Sequence, residues 1–214
     1  MPVTPLAVVL ALAGAAWGFA SDRIAVRWPE HEEGEGGRAV GWRSLVAVVT
    51  GVVALGAVTL VFDGAVERLV IGAYLVALVL LLAIDLDQRL LPDELTLPAI
   101  PLALAFAFAG ANPLVSPAGL PIAIIVAIAL PLLLFALSLP FGAGAFGKGD
   151  IKLLFSVGLM VGPWRLISGV IYGVLAAGLV IVVLLVLRRI TLKAYVPFGP
   201  FLVFGAMLAL LAVR

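Results

Sequence analysis

Two acidic clusters border long apolar stretches of this chain: Asp85-Leu86-Asp87 and Gly147-Lys148-Gly149-Asp150. An ionised carboxylate is expensive near hydrocarbon, so acids at the edges of membrane segments are functional candidates. Two carboxyl groups that share a site cannot both ionise cheaply, and one keeps a proton while the other stays charged. The charged member can take a proton from water. The protonated member can hydrogen-bond the carbonyl under attack. Such a pair hydrolyses a peptide bond without a metal or a covalent intermediate. Asp85 and Asp150 are therefore the expected catalytic pair, with no cofactor and no metal.

Other chemistries lack their residues. The chain has no cysteine and one histidine, His31, so thiolate sites, disulfides and a histidine zinc cluster are excluded. A Ser-His-Asp triad would have to draw on His31 in a polar loop. Gly144 to Lys148 has the wrong spacing for a phosphate loop and no hydroxyl after the lysine. A net charge of +1 gives no footprint for nucleic acid.

The elements that must position the acids are membrane helices. The chain is 64% hydrophobic and 12% charged, about half the roughly 25% charge of soluble domains. A span needs roughly 20 mainly apolar residues. Eight segments are expected, near 3–20, 44–62, 66–84, 94–110, 114–138, 150–163, 166–187 and 196–213. They form one all-α, polytopic bundle over 1–214. The fourth holds Pro98 and Pro101 and the sixth is short, so these two are the least regular. Segment 1 lacks a basic n-region and reads as a retained helix.

Lys and Arg in the loops set orientation. With both termini outside, the inner loops hold Arg23, Arg27, Arg38, Arg43, Arg89, Lys148, Lys152, Arg188, Arg189 and Lys193. The outer ends hold Arg68, Arg165 and Arg214. Both acidic clusters then open to the cytoplasm from a multi-pass protein of the cell (inner or plasma) membrane. The stretch 21–43, with its Glu and Gly cluster, reads as a short, solvated cytoplasmic loop.

Several residues have plainer roles beside a functional one. Gly147 and Gly149 around Lys148 would let an extended substrate strand lie against the turn, or simply form a loop into a helix that Asp150 caps. Asp93 suits a helix cap and Glu94 the first turn after it. Asp87 lines a substrate approach or is solvated. Pro197-Phe198-Gly199-Pro200 is a rigid start to the last helix, with Pro197 and Gly199 placed to shape the site. Gly158-x-x-x-Gly162 and Gly169-x-x-x-Gly173 read as tight helix contacts.

These motifs together resemble a known family. The run Ile84 to Pro98, IDLDQRLLPDELTLP, resembles the first aspartate motif of type IV prepilin peptidases. Gly147 to Leu154 is similar to their Gly-x-Gly-Asp motif, which presenilin-like and preflagellin peptidases share. Pro197 to Phe201 resembles their element before the last helix. The resemblance implies an integral membrane aspartic endopeptidase. It would cut the basic leader from prepilins or pseudopilins of type IV pilus and type II secretion systems at the cytoplasmic face. Asp85 and Asp150 match its catalytic aspartates. Asp87, Asp93 and Glu94 would form an acidic rim that attracts the leader. Many bacterial members carry two Cys-x-x-Cys pairs after the first helix and also N-methylate the product. Here that region is short and without cysteine, which argues against zinc and against methyl transfer.

Three other readings stand beside this one. A presenilin-like or signal-peptide-processing protease should show a Pro-Ala-Leu element near its last helices, and the chain has none there. A proton-coupled transporter would place acids mid-span in paired halves, whereas these acids sit at segment ends. A catalytically silent relative serving as an assembly factor is the third.

Overall fold

The computed structural model describes residues 4–28, 39–141, 147–191 and 198–212. Pro197, His31 and the acidic and glycine cluster of 30–37 lie outside the described residues. The chain is helical throughout the described parts. Eight α-helices follow in order: α1 Pro5–Ala25, α2 Trp42–Val61, α3 Ala65–Gln88, α4 Asp93–Phe108, α5 Leu120–Ser138, α6 Lys148–Val161, α7 Pro163–Val186 and α8 Gly199–Leu211. Five of them, α1, α2, α3, α5 and α7, are long and apolar enough to cross a membrane. The other three have 16, 14 and 13 residues. At 1.5 Å per residue they reach about 24, 21 and 20 Å, short of the roughly 30 Å of hydrocarbon.

Local signals set most helix starts. Thr4 accepts the Ala7 N–H through Oγ1 at 3.2 Å ahead of Pro5, a side-chain cap with proline at the first turn. Gly162, with φ 80°, turns the chain between α6 and Pro163 at the start of α7. Pro98 and Pro101 do not interrupt α4, which runs unbroken with both prolines on its exposed side. The fourth segment is therefore more regular than the sequence suggested.

Buried α3 is the hub. It packs against α1, α2 and α8, while α4 and α5 pack against α6, and α7 against α8. Its inward face, including Ile71, Leu75, Leu78 and Ile84, is fully enclosed. Large apolar side chains face outward on α1, α5 and α7, as with Leu12, Ile125 and Leu179. A soluble surface rarely exposes so continuous an apolar face, and lipid is the solvent that tolerates it.

Backbone contact at glycines closes the two tightest crossings. A Cβ on Gly14 would sit 2.1 Å from the Gly51 carbonyl oxygen, between α1 and α2. One on Gly205 would sit 2.1 Å from the Gly169 oxygen, and one on Gly173 would sit 2.7 Å from the Phe201 oxygen, between α8 and α7. The Gly169/Gly173 spacing thus packs helices as expected. Of the other pair, Gly158 meets Ala127 of α5, but Gly162 makes the turn. Because the Gly205 obstacle is backbone, Gly205→Ala must push α8 from α7. A loss of about 1–3 kcal/mol of stability is expected, measurable as a lower midpoint of unfolding in detergent.

Candidate active site

Asp85 lies in the last turn of α3, and Asp150 is the third residue of α6. Both are buried, Asp85 to 4% exposure and Asp150 to 9%. Three links bring the start of α6 to the connection that follows Asp85. Gly149 faces Leu91, where a Cβ would approach the Leu91 Cβ to 3.0 Å. Lys152 Nζ donates to both oxygens of Asp93, at 2.5 and 2.7 Å. The carboxyl groups of Asp85 and Asp150 themselves lie within electrostatic reach of one another.

Each acid is held differently. Gly147 donates its backbone N–H to Asp150 Oδ2 at 2.9 Å. Asp150 therefore reaches back to the residue that opens its own helix, and α6 starts at Lys148, two residues earlier than the sequence suggested. The capping role foreseen for Asp150 exists, but from the third helical position and with Gly147 as the cap residue. Asp85 Oδ2 has no hydrogen-bond partner among the described residues. It presses on the start of α8, where a Cβ on Gly199 would lie 2.2 Å from it. An apolar groove of about 510 Å³ lies among α2, α3, α7 and α8, lined by Trp42, Leu82, Leu86, Val180, Pro200 and Phe201 among others but not by Asp85.

A family model described as the type IV leader peptidase family matches residues 72–186, more than half of the chain and inclusive of both acids. The chain belongs to the type IV leader peptidase family. Relatives match it at moderate sequence identity. The prepilin leader peptidase/N-methyltransferase of Aeromonas salmonicida (strain A449) is 35% identical over 142 residues, which cover 63% of this chain and 46% of that protein. The protein of the same name from Pseudomonas putida is 32% identical over 212 residues, covering 97% of this chain and 66% of that one. The chain thus spans about half the length of the Aeromonas relative. No solved structure matches it.

Within this leader-peptidase fold, the acids foreseen as a rim divide. Asp87 is bound by Arg43 of α2, Nη1 to Oδ1 at 2.5 Å. Asp93 does not cap α4, whose cap residue is Pro92, but pairs with Lys152 across to α6. Both carboxylates already face a cation, which leaves exposed Glu94 as the freer member of the rim. Lys148 is exposed at the first position of α6. Gly149 is helical and faces Leu91, so its missing side chain serves packing here rather than an open strand-binding turn. The Lys152–Asp93 pair is partly solvated, with Asp93 54% exposed. Exposed pairs are worth little, so Lys152→Ala should lower stability by under about 1 kcal/mol, read from thermal unfolding.

The sequence reading missed the buried polar cluster at the end of α1. Residues 21–25 are not loop but the last turn of α1, with Ser21 and Asp22 buried. Asp22 Oδ2 accepts from Ser44 Oγ at 2.7 Å and from Arg23 Nε at 3.1 Å. That network satisfies a carboxylate which would otherwise keep the segment in water. An acid beside a basic residue at the end of an apolar run, with a serine opening the next one, was the available signal.

Proposed function

We propose that this protein is a membrane aspartic endopeptidase that removes basic leaders from prepilin-like or pseudopilin-like substrates at the cytoplasmic face. The observation that carries this reading is the pair of buried carboxyls, Asp85 and Asp150, gathered at one end of the bundle from separate helices. One takes a proton from water as the other donates to the scissile carbonyl. Asp85 Oδ2 is buried without a donor among the described residues, which leaves its hydrogen-bonding capacity for a water or substrate admitted to the site. The apolar groove that includes Leu86 and Pro200, the chain neighbours of Asp85 and Gly199, suits the apolar helix that follows a leader. The charge bias of the loops supports the cytoplasmic side. Acids at helix ends, rather than mid-span, favour hydrolysis over proton-coupled transport.

The proposal covers the peptidase half of the name the relatives carry. The Cys-x-x-Cys pairs associated with the methyltransferase half are missing from this cysteine-free chain. The test is direct. The purified chain in lipid vesicles is mixed with a substrate that joins a basic leader to an apolar helix, and the products are weighed by mass spectrometry. One cut at the junction, with an unmethylated new amino terminus, is expected. Intact substrate after long incubation would overturn the peptidase reading.

A further inference from the structure

Arg43 stands where electrostatics disfavours it. It is the second residue of α2, in a first turn with no acid, at the end where the helix dipole repels cations. Its Nε is buried and has no hydrogen-bond partner among the described residues. A neutral residue would suit α2 better on both counts. The compensation is Asp87, 7% exposed at its side chain, whose Oδ1 meets Arg43 Nη1 at 2.5 Å. The guanidinium also lies 5.5 Å from the centre of the Trp42 ring. A local conflict of this kind, retained with Asp87 as the charged partner, points to what the contact holds.

What it holds is the turn that carries Asp85. At 100° per residue, Asp87 lies about 200° around α3 from Asp85, on nearly the opposite face. The same turn has a second tie. Gln88 Nε2 donates to the Ala25 and Trp28 carbonyls, at 2.6 and 3.0 Å. The helix then ends at Arg89 in the left-handed region, with φ 58°. The start of α2 is fixed in turn, because Ser44 next to Arg43 bonds Asp22 of α1 at 2.7 Å. Ties from Asp87 and Gln88 to two neighbouring helices leave α3 little freedom to roll. Roll matters here because Asp85 Oδ2 lies so near Gly199 that a Cβ there would sit 2.2 Å from it. A roll of about 10° moves a side-chain atom about 6 Å from the axis by roughly 1 Å, and a misplacement of that size can slow chemistry about 10²-fold.

We propose that Arg43 is a positioning residue, which sets the roll of the last turn of α3 through Asp87 and so aims Asp85 at Asp150 and the substrate. This rests on the peptidase reading for its kinetic readout but not for its structural one. Five chains are compared in vesicles: unchanged, Arg43→Gln, Arg43→Lys, Asp87→Asn and the double variant Arg43→Gln with Asp87→Asn. On a leader-bearing substrate, Arg43→Gln and Asp87→Asn should each lower kcat about 10- to 100-fold with KM within about twofold. The double variant should be no slower than either, and Arg43→Lys should recover most of the rate. A raised KM at constant kcat would overturn the proposal by making Arg43 a substrate contact. A lower unfolding temperature with unchanged kcat would overturn it by making the pair a staple.

The second measurement needs no activity. The chain has no cysteine, so Leu86→Cys with Phe201→Cys, two positions lining the same groove, gives a clean pair for a short bifunctional maleimide. Cross-linking should fall several-fold when Arg43→Gln is added and return with Arg43→Lys. An unchanged yield would overturn the positioning role, even if the substrate proved to be something other than a prepilin. Loss of cleavage by the unchanged chain, with cross-linking still dependent on Arg43, would overturn the peptidase reading and keep the positioning one.

Discussion

Asp85→Asn and Asp150→Asn are each expected to lower kcat by at least about 10³-fold, with the folded protein intact. An amide cannot shuttle the proton that the mechanism passes between water, carboxyl and leaving amine, and general acid–base catalysis alone contributes about 10²–10⁴-fold. Residues that act as one unit are strongly non-additive, so the double variant should be scarcely slower than either single. Stability should not follow activity. Asp85 is buried with an oxygen that no described donor reaches, and removing a potential buried charge is neutral or stabilising. Asn at 150 can still accept the Gly147 N–H that Asp150 Oδ2 receives at 2.9 Å, so the start of α6 should persist. The readouts are initial rates on a leader-bearing substrate and thermal unfolding of the same samples. Either variant cleaving within about tenfold of the unchanged chain would remove that residue from the pair.

How these acids are held was legible in the sequence only in part. Eight apolar runs correspond to eight helices among the described residues, with ends shifted by a few residues. Hydropathy gives such segments because lipid selects long apolar helices. It does not give their depth: α4, α6 and α8 stop short of a full span. The motifs around Asp85 and Asp150 drew attention through residue types that are expensive in hydrocarbon. The partners of the neighbouring acids stayed hidden. Arg43 and Asp87 lie on α2 and α3, 44 residues apart, and their pairing follows from how those helices pack, not from any local pattern. Asp22 was hidden for a related reason. It begins a polar stretch, and its partners inside include the hydroxyl of Ser44, brought alongside by the α1–α2 crossing, as well as Arg23.

Gly199 separates two effects that glycine substitutions usually mix. A Cβ there would meet three Asp85 atoms, Oδ2 at 2.2 Å, Cγ at 2.8 Å and Oδ1 at 3.0 Å. None of them is backbone. The carboxyl can escape by turning about its own side-chain bonds, so α8 need not move, and Gly199→Ala should change stability by under about 1 kcal/mol. Escape, however, means that Asp85 abandons the orientation in which it faces its partner. Displacement of a reacting group by about 1 Å can lose about 10²-fold in rate, and kcat should fall by that factor or more. Gly205, on the same helix, should behave the opposite way, because its neighbour is the Gly169 carbonyl and only separation of the helices relieves the clash. Rates and unfolding midpoints measured side by side for the two alanine variants distinguish a glycine that makes room for the chemistry from one that makes room for packing. If Gly199→Ala cleaved at the unchanged rate, Asp85 could not be working from its place against α8, and the geometry assigned to the pair would have to be abandoned.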